Sequence, residues 1–135
     1  MDFKTAVRLC LTVNYMNFKG RATRSEYWFF VLFMGLIYLV AIPLVEWISI
    51  IIPGGLILAN IIIFCASLAL VLPSVAVQVR RLHDTDWSGW WILASLILIG
   101  AIFIFILDCL PGTVGPNRFG PDPLTARQLP EDIKY

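Results

Sequence analysis

The sequence predicts an all-α membrane protein: three transmembrane helices, preceded by a short interfacial N-terminal helix and followed by an irregular Gly/Pro-rich C-terminal tail. Two observations carry this prediction. Of 135 residues, 59% are hydrophobic and 14% charged, with a mean hydropathy of +0.84, far more apolar than a soluble domain of that length. Two long runs, Trp47 to Val79 and Trp87 to Leu107, contain no formal charge and enclose a dense polar cluster at Arg80-Arg81-Leu82-His83-Asp84-Thr85-Asp86. The chain is expected to form one membrane domain, residues 1–135, with spans near 24–52, 56–79 and 88–110 and a tail over 111–135.

The N-terminal segment from Phe3 to Val13 sets most of its apolar residues at three- and four-residue spacings, with Lys4 and Arg8 on another face. That pattern suits a helix lying on a membrane surface. Asp2, Lys4 and Arg8 interrupt the segment, so no cleavable signal is expected.

Thr23-Arg24-Ser25-Glu26 has the form of a capping box and predicts a helix start near Arg24. No charge follows from Tyr27 to Val45, close to the roughly 20 residues that cross about 30 Å of hydrocarbon. Trp28 and Trp47 bracket the run at a separation of about 28 Å, which suits two indoles at opposite interfaces. Pro43 is expected to bend its last turns, and Pro53-Gly54-Gly55 to close a turn.

On the second span Asn60, Ser67, Ser74 and Gln78 fall on one helix face. Such a polar face either bonds to a neighbouring helix or lines a watery path. Pro73 is expected to kink this helix or to free a carbonyl for a partner. The third span begins at the anchors Trp87, Trp90 and Trp91 and ends near Asp108, before Pro111-Gly112. A hairpin turning at Gly100 is its competing geometry. The tail's Gly-Pro and Pro-Asp-Pro steps exclude a regular helix over 111–123, and residues 124–135 read as a polar end.

Basic residues set the expected orientation. Lys4, Arg8, Lys19, Arg21 and Arg24 precede the first span, Arg80 and Arg81 follow the second, and the loop from Glu46 to Gly55 has none. The positive-inside preference places the N-terminus and the Arg80 cluster in the cytoplasm and, with three crossings, the tail outside. A re-entrant third segment would bring the tail back inside.

Three separated signatures carry a resemblance. They are Phe18-Lys19-Gly20-Arg21-Ala22-Thr23-Arg24-Ser25-Glu26-Tyr27-Trp28; Pro73 ahead of Arg80-Arg81-Leu82-His83-Asp84 with Ser88-Gly89-Trp90-Trp91; and Pro111-Gly112 with Gly115-Pro116-Asn117-Arg118-Phe119-Gly120-Pro121-Asp122-Pro123. In that order the chain resembles the bacterial inner-membrane family catalogued as domain of unknown function 805, the YhaH/YhaI-like proteins. Trp87 stands where a smaller or more polar residue is expected in that family. The resemblance implies a small multi-pass protein of the bacterial inner membrane and implies no activity, cofactor or catalytic residue.

The candidate functional face comprises Arg21, Arg24, Arg80, Arg81, His83, Asp84 and Asp86, which share one side of the membrane in the predicted topology. Arginine forks suit a phosphate-bearing headgroup. The aspartates are equally suited to balancing the arginines and capping the third helix. No catalytic set, metal site or cofactor is expected: one histidine lacks a companion at ligand spacing, and Cys10, Cys65 and Cys109 are isolated and read as small buried hydrophobes. The near-neutral charge gives no sign of nucleic-acid binding. The expected role is a non-enzymatic interaction or assembly component whose partners are anionic lipid of the phospholipid membrane, a second copy, or another membrane protein. An oligomeric transporter or channel is one alternative. An enzyme acting on a phosphate-bearing headgroup is the other, and it requires His83, Asp84 and Asp86 to converge in a cleft with Arg21 or Arg24.

Overall fold

The computed structural model describes residues 1–52 and 55–128, so the turn at Pro53-Gly54 and the end at 129–135 lie outside the described residues. Helix α1 (Phe3–Leu11) is capped by the Asp2 carboxylate, which accepts from the Thr5 amide at 3.1 Å. Its Ala6 and Cys10 are buried, while Lys4 and Arg8 are exposed. Phe3 meets Phe29 edge to face, so α1 packs along the first turns of the next helix.

Two long apolar helices form the body: α2 (Arg24–Ile51) and α3 (Gly55–Asp84). Glu26 bonds Arg80 and Tyr38 bonds Ser67, the register of an antiparallel hairpin. Thr23 caps α2 by accepting from the Glu26 amide, as expected. Pro73 lies inside α3, and with no N–H it leaves the Ala69 carbonyl without its helical donor. The Tyr15 hydroxyl fills that vacancy. A proline thus ties the segment after α1 to the middle of α3.

Helix α3 continues to Asp84 rather than stopping at Val79, which carries the whole Arg80–Asp84 cluster on helical spacing. Arg80 therefore faces α2 while Arg81 faces the third segment. The expectation of one continuous helix over 88–110 is corrected. Residues Gly89–Leu96 form a 3-10 helix, Ile97 is extended, and α4 spans Leu98–Cys109. Its twelve residues measure about 18 Å, short of a full crossing. Both ends of the segment lie at the same end of α3: Gly89 approaches Val79 and His83, and the Leu107 and Leu110 carbonyls meet Arg81. Gly100 makes the fold-back possible, because a Cβ there would collide with the Ala94 carbonyl.

The tail is corrected on one point: it packs beside the N-terminal segment rather than across from it. Residues 111–122 hold no helix, and a short helix α5 (Pro123–Gln128) follows them. Two small cores result, Cys10, Ala22, Phe30 and Val77 between α1, α2 and α3, and Leu82, Ile104 and Leu107 between α3 and α4. Long apolar side chains elsewhere on α2 and α3, such as Leu39 and Ile57, point outward, as they do on helices solvated by lipid.

Candidate functional site: a buried charge cluster joining three signatures

The polar end of the bundle is built around arginines that the fold has buried. Arg81 is fully inaccessible and Arg80 is 3% exposed. A guanidinium at such a place requires a carboxylate or several acceptors, because burying an unpaired charge is costly. Arg80 Nη1 donates to Glu26 Oε1 at 2.6 Å. Asp84 bridges the other two: its Oδ1 accepts from Arg21 Nε at 2.9 Å and its Oδ2 from Arg81 Nη1 at 2.6 Å.

Arg81 also closes α4. It donates to the carbonyls of Leu107 and Asp108 at 3.2 Å and to that of Leu110, at the helix C-terminus where carbonyls lack their full intrahelical donors. From α2, Trp28 Nε1 reaches the Asp108 carbonyl at 3.3 Å. The Asp108 carboxylate takes both bonds of Gln78 Nε2, at 2.9 and 3.1 Å. Three arginines and three carboxylates are thereby confined at one end of the protein.

The tail is sewn to the same cluster. Arg21 Nη1 and Nη2 donate to the carbonyls of Gly115 and Thr113 at 2.7 and 2.5 Å. The Thr113 amide donates to the Asp84 carbonyl, and Asn117 Nδ2 to the His83 carbonyl, at 2.8 and 2.9 Å. Phe119 stacks on the His83 ring at 3.8 Å and 4°, while Nδ1 of His83 donates to the Gly20 carbonyl at 3.1 Å. Gly112 has no alternative, since any Cβ there would occupy the Asp84 carboxylate.

Several expected roles change. Arg21, Arg80 and Arg81 are buried and ion-paired inside the protein, Arg80 through Nη1 alone with its Nε and Nη2 buried without a partner among the described residues, so of the four arginines proposed to face a phosphate only Arg24 is exposed. Asp84 and Asp86 do not cap the third segment. Asp84 holds two arginines, Asp86 pairs at the surface with Arg118 at 3.2 Å, and Ser88 occupies the cap position with no side-chain bond. Asp86 takes φ 62°, a left-handed conformation that short polar side chains tolerate. His83, Asp84 and Asp86 do not share a cleft: a cavity of about 360 Å³ includes Arg21, Arg24 and Asp84, whereas His83 lines a separate groove with Phe18 and Trp90. No group of three metal-ligating side chains occurs among the described residues.

The polar face of α3 is divided. Asn60 and Ser74 bond their own helix at Leu56 and Leu70, Ser67 accepts from Tyr38, and Gln78 holds Asp108. Among the aromatic anchors, Trp87 packs against Trp91 and Phe103, whereas Trp47 and Trp90 are exposed. Only Cys10 of the three cysteines is buried. Cys65 and Cys109 are exposed on the apolar surface, which corrects the expectation for them. Burial, and then the neighbouring Glu26 carboxylate, push the Cys10 thiol up to about 11.

Sequence reasoning gave Glu26 only a capping role and made Asp108 a boundary marker. It passed over Thr113, Asn117 and Asp122 as parts of the site. The available signal was their position: Asp108 is an isolated charge ending an apolar run, and Asn117 and Asp122 lie within a signature.

The fold and this cluster define a class: a small all-helical membrane protein whose signatures converge on one buried charge network. The chain belongs to the family described as protein of unknown function (DUF805), whose model matches residues 15–121. It is similar to inner membrane protein YhaH of Escherichia coli (strain K12), with 44% identity over 115 residues, 82% of this chain and 89% of that one. Inner membrane protein YhaI of the same strain is 39% identical over 116 residues, 85% of this chain and 92% of that one. No solved structure matches.

Proposed function

We propose that this chain is a non-enzymatic component of the bacterial inner membrane that presents a preassembled basic surface to anionic lipid on the cytoplasmic side. In this reading α2 and α3 cross the membrane, the third segment re-enters and returns, and the N-terminus and tail are both cytoplasmic. The observation that supports it most is the sorting of charge. The arginines at the centre of the signatures are buried in ion pairs, whereas Lys4, Arg8, Lys19, Arg24 and Arg118 remain exposed. Exposed acids near them are few among the described residues: Asp2 caps α1 and Asp86 is already paired with Arg118. A basic residue near an anionic leaflet gains about 1 kcal/mol, so several together favour such lipid substantially.

The names of the relatives support the inner-membrane assignment. The polar face of α3 gives no support to conduction, since each of its four groups has a protein partner. The test is native mass spectrometry of the protein released from phosphatidylcholine nanodiscs with and without phosphatidylglycerol. Preferential retention of phosphatidylglycerol, reduced when Lys4, Arg8 and Lys19 are replaced by glutamine, is expected. Equal retention of both lipids would refute the reading and turn attention to a protein partner.

A further inference from the structure

The cavity of about 360 Å³ at the start of α2 has a construction that surface basicity alone does not explain. Its floor is the Arg21–Asp84 pair, whose charges are satisfied within the buried cluster. Its accessible charges are therefore one of each sign. Arg24 supplies the cation: it is exposed, and its Nη1 makes only a long 3.5 Å contact with the Cys109 carbonyl, so the fork can turn inward. Asp122 supplies the anion.

The Asp122 carboxylate is fixed by the amides of Gly115 and Leu124 at 3.2 and 2.9 Å. Accepting those bonds holds its pKa below the usual carboxylate range, so it is ionised at neutral pH. The Ser25 and Thr23 hydroxyls, 3.1 Å apart, flank Arg24 in sequence and line the same cavity. A site lined by an arginine and hydroxyls from the start of α2 and by a carboxylate from the tail matches a zwitterion, with a phosphate toward Arg24 and Ser25 and an ammonium toward Asp122. Its volume lies within the ordinary range for small-ligand sites.

The rim indicates how such a group arrives. Val114 and Leu124 border the cavity and are 97% and 61% exposed, although both lie outside the long apolar helices. Apolar side chains displayed this fully on the tail, beside a cavity shared with the first turn of a crossing helix, are suited to dipping among lipid chains while the headgroup enters the cavity.

We infer that this cavity is a binding site for a phosphoethanolamine group, carried by a membrane phospholipid. The inference rests on the proposed placement of this end at the membrane surface, but not on any preference for anionic lipid. The ammonium matters because it donates N–H bonds to Asp122, which a quaternary choline cannot do.

The experiment is native mass spectrometry of the full chain from nanodiscs containing phosphatidylethanolamine and phosphatidylcholine in equal amounts. One charge-assisted hydrogen bond predicts about tenfold preferential retention of phosphatidylethanolamine. Asp122→Asn should abolish the preference, and Arg24→Gln, at an exposed position, should reduce retention of both lipids. Soluble glycerophosphoethanolamine added in excess separates the sources: failure to displace the lipid supports capture through the membrane, and displacement assigns the site to the free headgroup and overturns the lipid assignment. Equal retention of the two lipids by the wild-type protein overturns the inference. That failure is distinct from failure of the basic-surface reading, which is judged on phosphatidylglycerol and on Lys4, Arg8 and Lys19.

Discussion

Replacing Asp84 by asparagine keeps the shape of the side chain and removes the one carboxylate shared by Arg21 and Arg81. In the wild type that carboxylate takes bonds of 2.9 and 2.6 Å from guanidinium groups that are almost fully buried. An amide offers a single oxygen and no charge, so two buried cations face each other across a neutral group. Breaking a buried pair of this kind costs about 3–5 kcal/mol. For a chain of 135 residues that corresponds to a fall in Tm of roughly 10–20 °C. The damage should extend to the tail, because Arg21 orients the Thr113 and Gly115 carbonyls. Thermal unfolding in a mild detergent, followed by near-UV circular dichroism, measures the first effect. Limited proteolysis between Pro111 and Asp122 measures the second. The internal control is Asp86→Asn, which breaks the Arg118 pair at the surface and should cost at most about 1 kcal/mol. If Asp84→Asn and Asp86→Asn shift Tm by similar amounts, the buried network does not hold this end together.

Other outcomes follow from local geometry. Gly100→Ala would drive a methyl into the Ala94 carbonyl and should destabilise the fold by at least the 1–3 kcal/mol typical of overpacking, about what thermal unfolding resolves; a neutral result excludes the tight fold-back. Cys10, with its thiol pushed up to about 11 by burial and by Glu26, should resist maleimide at pH 7.5 until the protein is unfolded, as peptide mapping of labelled protein would show. Asp122 has a folded-state pKa below 3.8, so its contribution to tail stability is present above that value and is lost as pH falls through the lowered folded pKa. Faster amide exchange at Gly115 and Leu124 as pH is lowered past about 4, after correction for intrinsic rates, is expected, and Asp122→Asn should remove the pH dependence.

The long apolar helices, the Thr23 cap and the carbonyl freed by Pro73 were legible in the sequence because each depends on local spacing or on one residue's chemistry. The form of the third segment was not. A 21-residue uncharged run satisfies the length rule for a crossing, and it takes the close approach of Gly100 to Ala94 and the return of both ends to α3 to show that it folds back. The candidate site was legible as a set of signatures and illegible as geometry. Arg80 and Arg81 are adjacent in sequence, yet helical rotation sends one to Glu26 on α2 and the other to the end of α4. Charge counting treated both as surface anchors because it carries no information about which arginines find buried carboxylates. The stacking of Phe119 on His83 joins residues 36 positions apart, which no local pattern reveals.

The central claim is that the three signatures meet on one side of the membrane. Its most direct measurement uses a background in which Cys10, Cys65 and Cys109 are replaced by serine, with single cysteines introduced as Lys19→Cys and Arg118→Cys, both at exposed positions. Labelling intact spheroplasts with a membrane-impermeant maleimide, before and after lysis, reports the side of each. The account predicts that both sites are protected in intact spheroplasts and labelled together after lysis. Labelling of Arg118→Cys in intact spheroplasts while Lys19→Cys stays protected would place the tail across the membrane and contradict it.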